Sequence, residues 1–144
     1  MTAMAAAPPA SSPAVRRRMR AQRTRDTGPE MELRRRLHAM GLRYRVQRRV
    51  LREVRRHHDL VFGPARLVVE VMGCYWHGCP RCFRGGPKSN SDWWHEKIQR
   101  NRARDLDSRR RLEAAGWEVV WVWEHEDMDA AAERVARLAR ERRR

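Results

Sequence analysis

Two groups of residues have the types and spacing that do chemistry. The first is a pair of carboxylates. Leu60-Val61-Phe62 and Leu67-Val68-Val69 are short apolar runs rich in strand formers, and Gly63-Pro64 between them signals a turn. A four-residue loop from Gly63 to Arg66 would place Asp59 directly opposite Glu70. Residues opposite one another in an antiparallel pair point to the same face, so the two acids would sit together among valines. Such a pair repels and loses hydration, and a cation commonly holds it. Solvated charges at the two ends of a hairpin are the plainer alternative.

The second group is sulfur. Cys74, Cys79 and Cys82 are all the cysteines the chain has, and they fall within nine positions. An odd count without a secretory signal argues against a disulfide framework, and the grouping suits tetrahedral zinc. Three thiolates need a fourth ligand, for which His77, His95 and His125 are candidates. Ordinary buried thiols or a redox pair are the alternatives, although no βαβ pattern surrounds Cys79-Pro-Arg-Cys82.

These groups need elements to position them. A helix is expected from a capping box at Thr27-Gly28-Pro29-Glu30, with Leu33, Leu37 and Met40 at helical spacing and Gly41 closing it. A strand over residues 42–50 and a basic loop over 51–58 lead into the hairpin, and an irregular connection follows the cysteines. A long helix over 91–115 ends at Gly116. One of its faces carries Trp94, Ile98, Asn101, Asp105 and Leu112, and polar residues on such a face need partners, whether in a structural network or at the border of a site. Residues 117–123 read as a strand buried on both faces, and residues 129–140 as an amphipathic helix. The order of elements gives one α/β domain over 16–144, with a central sheet flanked by helices.

Charge points to the partner. The 144 residues carry 33 basic and 18 acidic side chains, a net charge of +15, and such a field attracts nucleic acid. No apolar run approaches the ~18 residues of a membrane span. Residues 1–15 read as a disordered tail rather than a signal peptide, so the expected compartment is the cytoplasm. Next comes a basic arm, residues 16–25, with Arg16, Arg17, Arg18, Arg20, Arg23 and Arg25 suited to tracking phosphates.

Five motifs carry a family resemblance. They are Met19-Arg20, Arg25-Asp26-Thr27-x-Pro29-Glu30, Gly73-Cys74-Tyr75-Trp76-His77, Trp94-x-Glu96-Lys97-Ile98-x-x-Asn101-x-x-Arg104-Asp105, and Gly116-Trp117-x-Val119-x-x-Val122-Trp123-Glu124. With them the chain resembles the very short patch repair endonucleases, which nick DNA beside a thymine–guanine mismatch, over about three quarters of its length. The resemblance implies a restriction-endonuclease-like fold, catalytic Mg²⁺ and a structural Zn²⁺. Position by position, Asp59 matches the magnesium-binding aspartate and Val71 the residue that offers its backbone carbonyl to the metal. His77 matches the general base, and Glu30 the supporting glutamate of the first helix. Cys74 and Cys82 match zinc cysteines, with Cys79 where the family often has histidine and His125 where it often has cysteine. Tyr75, Trp76 and Trp94 match aromatic residues that wedge into the base stack.

Two positions depart from the pattern. Glu70 and Met72 stand where the family has an aromatic residue and a histidine. Glu70 restores the second carboxylate of the wider restriction-endonuclease-like group, whereas Met72 removes a polar side chain. The expected activity is a Mg²⁺-dependent DNA endonuclease, acting as a monomer on double-stranded DNA, with other repair proteins as further partners. A restriction nuclease with a different target, or an inactive zinc-stabilised DNA-binding protein, are the alternatives.

Overall fold

The computed structural model describes residues 26–82 and 91–143. The expected tail, the basic arm and most of the connection after the cysteines lie outside the described residues. Helix α1 (Gly28–Ala39) is capped by Thr27, whose side chain accepts from the Glu30 amide at 3.4 Å, and the chain leaves it through Gly41 at φ 87°. Only that half of the capping box forms. The Glu30 carboxylate turns inward to Arg34, 3.3 Å away, and to the Asp26 backbone.

Four strands follow in the described chain: β1 (Arg45–Arg48), β2 (His58–Phe62), β3 (Leu67–Met72) and, after helix α2 (Ser91–Ala114), β4 (Glu118–Trp123). Helix α3 (Met128–Arg142) ends it. The sheet order is β1-β2-β3-β4, with the first two pairings antiparallel and β3–β4 parallel. A parallel pair needs a long crossover, and α2 supplies it.

Side-chain alternation along the strands divides the core. Leu60, Phe62, Leu67, Val69, Val120 and Val122 meet α1 and α3, through Leu33, Leu37, Ala132, Val135 and Ala139. Val68 and Val119 meet Leu112 of α2 on the opposite face. Glu70 follows Val68 at a spacing of two and so belongs to the α2 side.

Two boundaries differ from expectation. Strand β1 is shorter than 42–50: its pairing with β2 runs only from Arg45 to Arg48, and both of those end residues are exposed. Beyond it, Arg49 donates to the carbonyls of Leu51 and Val54 at 3.2 and 3.0 Å and turns the chain away from the sheet. His58 lies in β2 rather than in the preceding loop. Strand β4 is not buried on both faces. It borders the described sheet, and Trp121 and Trp123 remain half-buried, with the Arg109 guanidinium 4.7 Å over the Trp121 ring. Among the described residues no helix is long and apolar enough to cross a membrane.

Candidate active site and metal centre

The hairpin register is the expected one. Paired positions run from Phe62–Leu67 to Leu60–Val69, and one further step sets Asp59 opposite Glu70. There the ladder stops and side chains take over. Asp59 Oδ2 accepts from the Val71 amide at 2.8 Å, and Oδ1 accepts from Gln47 Nε2 at 3.1 Å. Glu70 Oε1 meets His58 Nδ1. Glu70 is 5% and His58 0% exposed, and His58 Nε2 is buried without a partner among the described residues.

Burial pushes the Asp59 carboxyl up to about 7, helped by the charges of Glu70 and Glu30 and opposed by the Val71 and Gln47 hydrogen bonds. Burial also raises Glu30, against the pull of Arg34. The charges of Glu70 on β3 and Glu30 on α1 thus act on Asp59 of β2 in a partly dry setting. The carboxylate oxygens of Asp59 and Glu70 are hard donors of the kind that suits a divalent cation such as magnesium.

Beyond β3 the chain turns against α2. At Gly78 the φ is +62°, and a Cβ there would meet Ile98 Cγ2 at 2.7 Å and Arg102 Cδ at 2.8 Å, so only glycine allows the approach. Asn101 Nδ2 donates to the Trp76 carbonyl at 2.8 Å. Asp105 Oδ2 holds His77 Nδ1 at 2.7 Å, and Arg56 Nη1 donates to Asp105 Oδ1 at 2.9 Å. Burial alone would raise Asp105, but His77 and Arg56 outweigh it and keep the carboxyl below the usual range. With Nδ1 engaged, His77 Nε2 is the nitrogen left to take a proton. A cavity of about 530 Å³ opens here, lined by Arg56, Trp76, His77, Asn101, Arg104 and Asp105 among others.

Asn101 and Asp105 thus find their partners in the loop that carries His77, where the sequence pattern left a structural network and a site border equally open. Arg56 and His58 were read only as part of a basic loop. The one available signal for His58 was its place directly before Asp59, at the mouth of the hairpin.

The sulfur group closes by a different route. Met72 pairs with Trp123 in the parallel ladder, so two residues further on Cys74 and His125 come side by side. The Cys74 amide donates to Glu124 Oε1 at 2.9 Å and ties the two loops together. His125 Nδ1 lies 3.2, 3.7 and 3.3 Å from the sulfurs of Cys74, Cys79 and Cys82. All four ligand atoms lie within 4.8 Å of one another. A zinc tetrahedron with bonds of about 2.3 Å to sulfur and about 2.0 Å to nitrogen has edges of roughly 3.5 Å, so the cluster fits one. Burial pushes the Cys74 thiol up to about 12, with the neighbouring thiols adding to the shift. At Cys79 burial acts in the same direction but is outweighed by the backbone amides of Cys82 and Arg81, which hold that thiol below its ordinary value. Of the other two histidines, His77 is held by Asp105 and His95 is exposed on α2.

Tyr75, Trp76 and Trp94 form one aromatic cluster, with centroids 5.0 Å apart for Tyr75–Trp76, 5.8 Å for Tyr75–Trp94 and 5.5 Å for Trp76–Trp94. Trp94 is buried, whereas Tyr75 and Trp76 are half-buried.

Comparison with known proteins agrees with this geometry. The pattern of the family described as DNA mismatch endonuclease Vsr matches residues 11–82. The type II nicking enzyme V.XorIIP of Xanthomonas oryzae pv. oryzae is 42% identical over 122 residues, covering 84% of this chain and 88% of the relative. The chain belongs to the Vsr family. Two further relatives span it broadly. The type II nicking enzyme V.NaeI of Lentzea aerocolonigenes is 39% identical, over 80% of this chain and 70% of its own length. The DNA mismatch endonuclease Vsr of Escherichia coli is 38% identical, over 74% of this chain and 66% of its own length. As a Vsr-family member the chain is a DNA endonuclease, and membership implies the restriction-endonuclease-like fold. The mixed sheet between helices and the thiol–imidazole cluster accord with that.

Proposed function

We propose that this endonuclease nicks one DNA strand at thymine–guanine mismatches in DNA repair, using Mg²⁺, with His77 as general base. The observation that carries the reading is the His77–Asp105 contact at 2.7 Å beside a cavity that Asp105 and Arg56 also line. Asp105 fixes the ring and stabilises the imidazolium that forms when Nε2 takes a proton from the attacking water. Asp59, Glu70 and the Val71 carbonyl would hold the magnesium. When bound, the ion polarises the scissile phosphate and offsets charge in the transition state. Glu30 supports Asp59 from α1. Cys74, Cys79, Cys82 and His125 hold a structural zinc that anchors the loop carrying His77. Tyr75, Trp76 and Trp94 meet the bases at the mismatch, and the arginines of the basic arm meet phosphates.

The test is a nicking assay with Mg²⁺ on matched and thymine–guanine mismatched duplexes, for the wild type and Asp59→Ala. Mismatch-selective nicking that the substitution abolishes, with DNA binding retained, supports the reading. Equal cutting of both duplexes would move it to a restriction-type target. No cutting by folded, DNA-binding wild type would make the protein an inactive DNA-binding member of the family.

A further inference from the structure

We propose that the Arg56 guanidinium binds the scissile phosphate and stabilises the charge that builds on it during cleavage. This rests on the site reading above and adds a residue to it. Arg56 stands on the loop before β2. On one side its Nη1 bonds Asp105, the residue that holds His77. On the other, Glu70 and Asp59 are near enough for their charges to act on it alongside that of Asp105. A phosphodiester reached both by water activated at His77 and by a cation at Asp59 and Glu70 must lie within reach of all three, and Arg56 is bonded to the Asp105 that holds His77 while the charges of Glu70 and Asp59 act on it.

The chemistry of the side chain suits the place. A guanidinium has five donors in a planar fork that matches phosphate oxygens, and one of Arg56's nitrogens is on Asp105. The side chain is 30% exposed and lines the same cavity as His77. Of the three other arginines that line the cavity, Arg104 and Arg111 are engaged along their own helix, with Asn101 and Asp107, and Arg55 is exposed on the same loop as Arg56. Arg56 reaches across to α2 from another segment. Asp105 then has two tasks: it orients the base and holds the phosphate-binding cation beside it.

Single-turnover nicking of a thymine–guanine duplex with Mg²⁺ tests this, for the wild type, Arg56→Met, Arg56→Lys, Asp105→Asn and the Asp105→Asn/Arg56→Met double variant. Arg56→Met is expected to slow cleavage by ~10²–10³, the usual cost of losing one donor aimed at developing charge, with duplex affinity and melting temperature near wild type. Arg56→Lys should recover part of the rate. In the Asp105→Asn background Arg56→Met should still slow cleavage, because the phosphate contact does not pass through Asp105. If it has no further effect there, Arg56 is only the counterion of Asp105 and the proposal fails. Should Arg56→Met melt early, Arg56→Gln is compared instead, with the same two outcomes. An active wild type with unaffected Arg56 variants overturns this assignment alone. An inactive wild type overturns the site reading with it.

Discussion

The thiol–imidazole cluster and the carboxylate site lie at the same end of β3, and they are assembled in opposite ways. The cluster takes three ligands from nine consecutive positions and a fourth from the neighbouring strand end. Its four ligand atoms lie within 4.8 Å of one another. The carboxylate site draws on seven segments: α1, β1, the loop before β2, β2, β3, the loop after β3 and α2. Its acids are each held by other residues, Asp59 by Gln47 and Val71, Glu70 by His58, and Asp105 by His77 and Arg56. A closed cluster contributes folding free energy, whereas an open site held from many directions has its proton affinities set by its neighbours. Damage to the first should unfold the protein. Damage to the second should leave it folded and slow.

The largest expected effect breaks the cluster. The purified protein should carry about one zinc per chain, and Cys82→Ser should unfold or aggregate it, since a structural zinc is worth on the order of 10 kcal/mol. Elemental analysis finding no metal in a protein that still melts cooperatively would erase the distinction between the two centres. Next is His77→Ala, expected to lower the nicking rate by roughly 10²–10⁴ while zinc content and melting stay near wild type. A variant that loses its zinc would mean that His77 belongs to the cluster's support rather than to the chemistry.

Smaller effects should separate Glu70 from His58. Glu70→Gln should raise the magnesium concentration needed for half-maximal rate. His58→Leu should do the same and also cost about 1–3 kcal/mol of stability, because it leaves Glu70 buried without its donor. A wild-type magnesium titration for Glu70→Gln would reduce Glu70 to a hairpin charge. The subtlest effect is that of pH. The folded-state Asp59 carboxyl lies at about 7, above its ordinary 3.8, so its proton favours the folded, magnesium-free protein. That contribution is complete below the ordinary value and is lost as pH rises through about 7. Melting in magnesium-free buffer should therefore show wild type losing stability relative to Asp59→Asn over that interval. Added Mg²⁺ should stabilise the wild type more at the alkaline end. A pH-independent difference would mean that Asp59 is already ionised and well paired.

What the sequence determined by itself was local. The turn at Gly63-Pro64 and the strand formers on either side set the hairpin register, which brings Asp59 and Glu70 level. Thr27 and Gly41 set the ends of α1, and the cysteine spacing supplied three of the four residues that the fold gathers into one cluster. The stripe on α2 showed that Asn101 and Asp105 needed partners without naming them. Turn chemistry and side-chain period act over a few residues, which is why such features survive in one dimension. Tertiary structure decided the rest. His77 and Asp105 are 28 positions apart, and Arg56 and Asp105 are 49. They meet only because β3 and β4 pair in parallel, which sends α2 back across the sheet. The burial of His58 against Glu70, and the choice of His125 over His77 and His95, follow from the same packing. No period or propensity encodes them, because each depends on which surfaces the whole chain can bury at once.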